Sequence, residues 1–301
     1  MILVTGASGF IGNKFYLYFK ENNMRIKGTY YSNGPGDLDK LDKENRIYLD
    51  MKRGDMEEIK RLKDLEYMIF CHGISDIETC RNKRELSYAV NVTNTINLLR
   101  HCRHSSIVPV YLSTTMVFDG ETESSSESSD PNPLSEYGKQ KLEVEKFIAD
   151  NFEKYLILRL TKVFGVEKYD KSIFTSWLDK FMQKEKIAAA SDVFISPVYV
   201  MDVIRITELL MKNNHFGSYN LGGPEISRIS DFAIRLAGFF DYDSGLIREV
   251  SINDLGFTEK RPRFNSVDST KILRESGIKL TAIRDCFNLI AENYGIKVNR
   301  P

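Results

Sequence analysis

The sequence predicts an α/β fold: a doubly wound parallel sheet with helices on both faces, plus a smaller lobe assembled from discontinuous stretches late in the chain. Three observations support this. Short apolar runs alternate with helically periodic segments through the first 165 residues. A turn carrying three glycines separates the first run from the first helix. After residue 165 the regular alternation weakens.

In chain order, strands are expected over residues 2–5, 25–31, 46–49, 67–71, 107–113 and 155–160. Helices are expected over 10–21, 56–62, 86–102 and 136–151, where apolar residues recur at helical spacing. Strand–helix–strand units of this kind connect by right-handed crossovers. Later, 174–184, 203–212, 232–239 and 283–294 read as helices, and 218–221 as a strand ended by Gly222-Gly223-Pro224. These later segments are expected to pack over the strand ends, where open α/β sheets hold ligands. The polar run 121–130 precedes helix 136–151. Its composition predicts a mobile loop, which either covers a site or is simply solvated.

Composition narrows the function. The 301 residues include 42 basic and 42 acidic side chains, so nothing favours nucleic acid or an anionic membrane. No apolar run approaches the ~18–20 residues of a membrane span. The N-terminus enters a strand at once, without the pattern of a secretory signal, so a cytoplasmic protein is expected. Cys71, Cys80, Cys102 and Cys286 form no Cys-x-x-Cys pair and read as reduced thiols. His72, His101, His104 and His215 are scattered, and no metal site is expected.

The glycine turn is Gly6-Ala7-Ser8-Gly9-Phe10-Ile11-Gly12. Between a strand and a helix, three glycines permit a sharp turn, close approach of backbone to a pyrophosphate, and tight helix packing. The helix N-terminus offers free N–H groups to phosphate. A Rossmann-type dinucleotide site follows, with Gly6, Ser8, Gly9, Phe10, Ile11 and Gly12 as its loop. The second strand runs into Tyr30-Tyr31-Ser32-Asn33 with no acid to bind a ribose 2′-hydroxyl. That absence, with Lys14 just past the third glycine, favours NADP(H) over NAD(H); Ser32 is an expected cofactor-binding residue. Asp50-Met51 ends the third strand, where Asp50 either meets the adenine amino group or caps a helix.

Tyr137 and Lys141 stand one helical turn apart on a single face. A phenol, with a pKa of about 10, is a poor proton donor near neutrality. A neighbouring ammonium favours the phenolate and brings it closer to working range.

Together these residues resemble the extended short-chain dehydrogenase/reductase family. The likeness runs through most of the chain. Leu112-Ser113-Thr114-Thr115-Met116-Val117-Phe118 is similar to the strand delivering the family's catalytic hydroxyl, which falls on Thr114. Pro133-Leu134-Ser135-Glu136-Tyr137-Gly138-Lys139-Gln140-Lys141 is similar to its Tyr/Lys segment. Ser196-Pro197-Val198-Tyr199-Val200-Met201-Asp202 and Tyr219-Asn220-Leu221-Gly222-Gly223 match later landmarks. Arg261-Pro262-Arg263-Phe264-Asn265 resembles the end of the dTDP-4-dehydrorhamnose reductase branch. Three positions depart from that branch: Thr115 stands for a usual Asp, Cys71-His72-Gly73 for Ala-Ala, and Leu160-Thr161-Lys162 for Thr-Ser-Trp.

The resemblance implies an NAD(P)-binding Rossmann domain over 1–165, rejoined by 198–222, and a substrate lobe over 166–197 and 223–301. It implies NAD(P)H-dependent reduction of a nucleotide-linked 4-keto sugar in deoxysugar biosynthesis. Tyr137 would give the proton, Lys141 would lower its pKa and hold the nicotinamide ribose, and Thr114 would bind the same substrate oxygen. Arg261 either meets the substrate diphosphate or is a surface residue; Asn91 either positions groups near the cofactor or is structural. A homodimer pairing helices 86–102 and 136–151 is expected. The alternatives are an epimerase or dehydratase on the same scaffold, and a non-catalytic regulatory subunit, since a methionine adenosyltransferase partner resembles the same branch.

Overall fold

The computed structural model describes residues 1–31, 41–168 and 170–298. Seven parallel strands form the central sheet: β1 (Ile2–Thr5), β2 (Ile26–Tyr30), β3 (Arg46–Tyr48), β4 (Tyr67–Phe70), β5 (Val108–Thr114), β6 (Leu156–Leu160) and β11 (Gly217–Leu221), in the order β11-β6-β5-β4-β1-β2-β3. This is the Rossmann-like α/β fold the alternation predicts. All six early strands form within two residues of their expected bounds.

Successive strand residues bury on opposite faces. Val4, Ile69, Val110 and Leu158 meet α1 (Phe10–Glu21) and α8 (Val200–Lys212) on one side. Leu3, Met68, Phe70, Tyr111 and Ile157 meet α5 (Asn94–His104) and α6 (Glu136–Asn151) on the other. A third core, around Phe164, Phe174, Phe181, Phe232 and Phe287, joins α7 (Ile173–Met182), α9 (Ile229–Phe239) and α11 (Ile283–Tyr294). Short strands also pair there, β8 (Ile187–Ala190) with β13 (Ile247–Val250), and β9 (Phe194–Ile195) with β12 (Ser227–Arg228) and β14 (Phe264–Asn265). Two-residue strands leave too little periodicity to be read from sequence.

Two expectations fail. The helix expected over 86–102 is interrupted by a π-helical turn, Ala89–Thr93, between α4 (Arg84–Tyr88) and α5. The polar run 121–130 is tied down: Ser125 is buried and its carbonyl accepts from Asn220 Nδ2 and from the Asp268 N–H, both at 3.0 Å. Glu127 Oε1 accepts from the Asn220 N–H at 2.9 Å. Polarity marked the run as loop; the partners that hold it lie some 90 or more residues away in sequence.

Among the described residues no helix is long and apolar enough to cross a membrane, and no cluster of three or more His, Cys, Asp or Glu could hold a metal. All four cysteines are free.

Candidate active site

The sheet order reverses between β1 and β4, and the loops leaving these two strands touch. Gly6 has φ +69°, in the left-handed region, and its N–H donates to Thr29 Oγ1 at 2.9 Å. A Cβ there would stand 2.8 Å from His72 Cα. At Gly12 it would stand 2.3 Å from the Gly6 carbonyl oxygen, so α1 packs directly on the turn. At Gly9 the only neighbour within 4 Å would be the Gly6 oxygen, at 3.3 Å. The turn is thus tight on its protein side and open at Gly9, where α1 begins with unpaired N–H groups. That shape fits a pyrophosphate.

Two cavities adjoin the turn. The larger, about 630 Å³, has Gly9, Phe10 and Ile11 on one wall and Thr114, Tyr137 and Lys141 on another. The smaller, about 310 Å³, is lined by Gly6, Ser8, Gly9, Asp50, Met51 and Lys52 among others. Both share Gly9 and the stretch Cys71-His72-Gly73-Ile74, so they form one cleft. Gly12 lines neither. Ser32 lies outside the described residues.

Asp50 is buried, and its Oδ1 accepts from the Lys52 N–H at 2.8 Å. Lys52 Nζ donates to Tyr31 Oη at 3.1 Å beside the smaller cavity. Lys14, the expected contributor to NADP(H) preference, is instead ion-paired with Glu167, with Asp170 at 3.8 Å. It points towards the loop after Phe164, not towards Asp50.

Thr114 ends β5, and Tyr137 and Lys141 occupy successive turns of α6. Ser135 Oγ caps α6 by accepting from the Gly138 N–H at 3.2 Å. A Cβ on Gly138 would stand 2.2 Å from the Met116 carbonyl oxygen. This close approach sets Tyr137 beside Thr114. Thr114 Oγ1 accepts from the Met116 N–H at 3.2 Å, which leaves its own proton to donate. Lys141 Nζ donates to the Leu112 carbonyl at 2.8 Å and lies 5.9 Å from the Tyr137 ring centroid. Contrary to the lowering by Lys141 expected from the sequence, burial pushes the Tyr137 pKa well above the usual phenol value, Cys80 adds to it, and only a hydrogen bond with Thr114 opposes it. Burial lowers Lys141 to about 8, against the influence of Cys71, Glu145 and Cys80.

Three further residues complete the site. The π-helical turn aims Asn91 inward; its side chain accepts from the Ile74 N–H at 2.8 Å and donates to the Ile74 carbonyl at 2.9 Å, fixing the loop after β4. His72 lies between Thr5 Oγ1 at 2.7 Å and Thr95 Oγ1 at 2.9 Å. Burial, with the Lys141 charge, lowers its pKa to about 3, so it is a neutral imidazole. Lys162 lines the larger cavity, open to solvent through the mouth. Desolvation by the surrounding protein, with the Arg261 charge, holds its pKa below the usual lysine value. Arg261 does not line that cavity: it pairs with Glu78 at 3.1 Å and stacks on Phe257 at 4.3 Å. Its Nε is buried without a partner among the described residues. His72 and Lys162 are two of the sequence departures noted above, which was the only signal of either. No Asp or Glu is among the described residues lining the larger cavity.

Comparison with known proteins agrees with this fold. The chain is 27% identical over 292 residues, 94% of each chain, to the probable low-salt glycan biosynthesis reductase Agl14 of Haloferax volcanii. It is 29% identical over 281 residues to methionine adenosyltransferase 2 subunit beta of Xenopus tropicalis, covering 90% of this chain and 80% of that one. The crystal structure of dTDP-4-dehydrorhamnose reductase from Bacillus anthracis in complex with NADP superposes with a TM-score of 0.81 at 21% identity, covering 95% of this chain and 96% of that one. The pattern of the RmlD substrate binding domain matches residues 1–295. The chain therefore belongs to the RmlD substrate binding domain family, within the extended short-chain dehydrogenases/reductases.

Proposed function

We propose that this protein reduces the 4-keto group of a sugar carried on a nucleoside diphosphate, as a step of deoxysugar biosynthesis, with NADPH preferred over NADH. The observation that carries the reading is the meeting of Thr114, Tyr137 and Lys141 in a cavity whose facing wall is the glycine turn.

The bound nicotinamide supplies a hydride to the carbonyl carbon. Tyr137 gives its proton to the carbonyl oxygen, so C=O becomes H–C–O–H and the charge balances. Its high pKa keeps that proton in place until negative charge develops on the substrate oxygen. Thr114 donates a second hydrogen bond to the same oxygen. Lys141 holds the nicotinamide ribose and offsets the charge left on Tyr137. Gly6, Ser8, Gly9, Phe10 and Ile11 cradle the pyrophosphate, Asp50 and Met51 flank the adenine, and Lys52 is the cation for a 2′-phosphate.

On the substrate side, Lys162 and Arg261 repel one another. A diphosphate between them relieves that repulsion and satisfies the free Arg261 Nε. The absence of a carboxylate from the described lining counts against a dehydratase, which needs an acid for the leaving hydroxyl. Incubation with NADPH and a panel of nucleotide-linked 4-keto sugars tests the reading. Oxidation of NADPH with a reduced sugar nucleotide as product is expected; no turnover with any member rejects it. Dissociation constants for NADPH and NADH test the cofactor preference.

A second reading has one observation in its favour, the similarity to methionine adenosyltransferase 2 subunit beta. A non-catalytic subunit would co-purify in stoichiometric amounts with a larger enzyme and show no turnover.

A further inference from the structure

Behind the Tyr137–Lys141 pair lies a buried ionic cluster that the proposed chemistry does not use. Tyr137, Lys141 and Glu145 fall at intervals of four on α6 and form one stripe facing the sheet. Glu145 is 3% exposed. Ser113 Oγ donates to Glu145 Oε1, and Ser113 is the residue immediately before Thr114. Arg159, on β6, donates from Nε to Oε2 at 3.0 Å and from Nη2 to Oε2 at 2.8 Å. One acidic side chain thus ties the helix carrying Tyr137 and Lys141 to the strand carrying Thr114 and to the next strand.

A buried ion pair is a poor way merely to join a helix to a sheet. Desolvating both charges offsets most of their attraction, and apolar residues of similar volume commonly do as well or better. Arg159 shows the imbalance: its Nη1 is buried without a hydrogen-bond partner among the described residues, and its guanidinium carbon stands 5.1 Å over the Phe118 ring. What an apolar replacement could not supply is a negative charge one helical turn beyond Lys141.

We infer that Glu145 is a positioning residue for proton transfer: its carboxylate supplies the fixed counter-charge to the Lys141 ammonium, and through Ser113 and Arg159 it sets the register between Tyr137 and Thr114. Among the described residues, Glu145 is the one carboxylate that acts on the Lys141 charge. The remaining neighbours of Lys141 are Cys71 after β4, Cys80 on α3 (Ile77–Asn82), His72, Tyr137, and Tyr111 on β5, whose ring centroid is 4.6 Å from Nζ. The cysteines and tyrosines are protonated, and therefore neutral, near pH 7, and His72 is neutral there as well. Arg159 pairs with Glu145 from β6, and its opposite charge limits the effect. Burial lowers the Lys141 pKa to about 8, and Glu145 opposes that fall. Without it, the ammonium would lose its proton at a pH closer to neutrality.

This inference rests on reading Tyr137 and Lys141 as the proton-transfer pair, so its test reads Lys141 without substrate. Glu145→Gln keeps the shape but leaves Arg159 uncompensated in the core, and this single variant is at risk of misfolding. The double variant Glu145→Gln/Arg159→Met removes both charges and preserves volume, and it should fold. ¹³C NMR of the lysine ε-carbons, assigned through Lys141→Met, gives the Lys141 pKa in wild type and double variant. A fall of about one unit is expected in the double variant. Ser113→Ala keeps both charges; it should leave that pKa in place and lower kcat several-fold while KM for the sugar nucleotide stays constant. A double variant with native circular dichroism and an unmoved Lys141 pKa overturns the counter-charge role. An unchanged kcat in Ser113→Ala overturns the register role. Failure of the reductase reading itself would show separately, as wild-type protein that fails to oxidise NADPH with any of the nucleotide-linked 4-keto sugars.

Discussion

Lys141 Nζ donates a 2.8 Å hydrogen bond to the Leu112 carbonyl oxygen, two residues before Thr114 on β5. This bond anchors α6 at the level of the strand end, and with the Gly138–Met116 approach it brings the Tyr137 phenol to the Thr114 hydroxyl. Tyr137→Phe removes one oxygen and little volume from this arrangement. Folding and NADPH binding should survive, while kcat falls by something like the 10²–10⁴-fold that positioned acid catalysis contributes. Steady-state kinetics beside fluorescence titration of NADPH separate these effects. A wild-type rate in this variant removes Tyr137 from the mechanism. Thr114→Val should cost a smaller factor, since it deletes one donor.

The depressed Lys141 pKa gives cofactor binding a pH dependence. In the free protein this lysine titrates near pH 8 instead of at its usual higher value. A dinucleotide brings negative charge and favours the ammonium, so binding should take up a proton on passing through that range. The sign follows: affinity for NADPH is full below the free-protein pKa and declines as pH rises above it. Calorimetry in buffers of different ionisation enthalpy measures the proton uptake. In Lys141→Met the uptake near pH 8 should disappear; its persistence would assign the titration to another group.

The three glycines of the turn should fail in different ways. An added Cβ at Gly12 meets the Gly6 backbone at 2.3 Å, and backbone cannot step aside cheaply. Gly12→Ala should therefore lose about 1–3 kcal/mol of stability from overpacking, visible as a lower Tm. Gly9 is in extended backbone with open space beyond its one close neighbour. Gly9→Val should keep a near-native Tm and lose dinucleotide binding, because the new methyl groups occupy the space facing the cleft. Thermal melts with and without NADPH distinguish the two: the cofactor should raise the Tm of Gly12→Ala but not that of Gly9→Val. The opposite pattern would exchange the roles of the two residues.

Much of this site was legible in the sequence for a physical reason. Gly6, Gly9 and Gly12 act through local backbone geometry, and Tyr137 and Lys141 through helical spacing, so both signals are written within nine residues or fewer. Thr114 needed the family likeness, because a strand-end hydroxyl has no period of its own. What escaped was long-range. The Asn91 contact to Ile74 depends on a π-helical turn, and nothing in Ala89-Val90-Asn91-Val92-Thr93 distinguishes that turn from plain α-helix. Lys14 was misplaced because sequence gives its nearness to Gly12 but not the carboxylates of Glu167 and Asp170, brought alongside by the fold. Glu145 lay in plain view four residues beyond Lys141, yet its partners come from two other strands.

Lys162 offers the sharpest test of the substrate side. It lines the cavity that holds Thr114 and Tyr137, pairs with no acid among the described residues, and faces the Arg261 charge. Arg261 is occupied by Glu78 and stands back from the lining, so the lysine is the more accessible cation. Lys162→Met keeps the aliphatic stem and deletes the charge. A lost charge-assisted hydrogen bond of about 1.5–3 kcal/mol corresponds to a rise in KM for the sugar nucleotide of roughly 10- to 150-fold. NADPH affinity should stay constant, and kcat should change much less than KM, because the interaction is made equally in the ground state and the transition state. Added salt should raise KM in the wild type and matter less in the variant, as screening weakens a charge that only the wild type carries. A KM unchanged by Lys162→Met would remove this lysine from diphosphate recognition and leave Arg261 to act alone, after exchanging Glu78 for the phosphate.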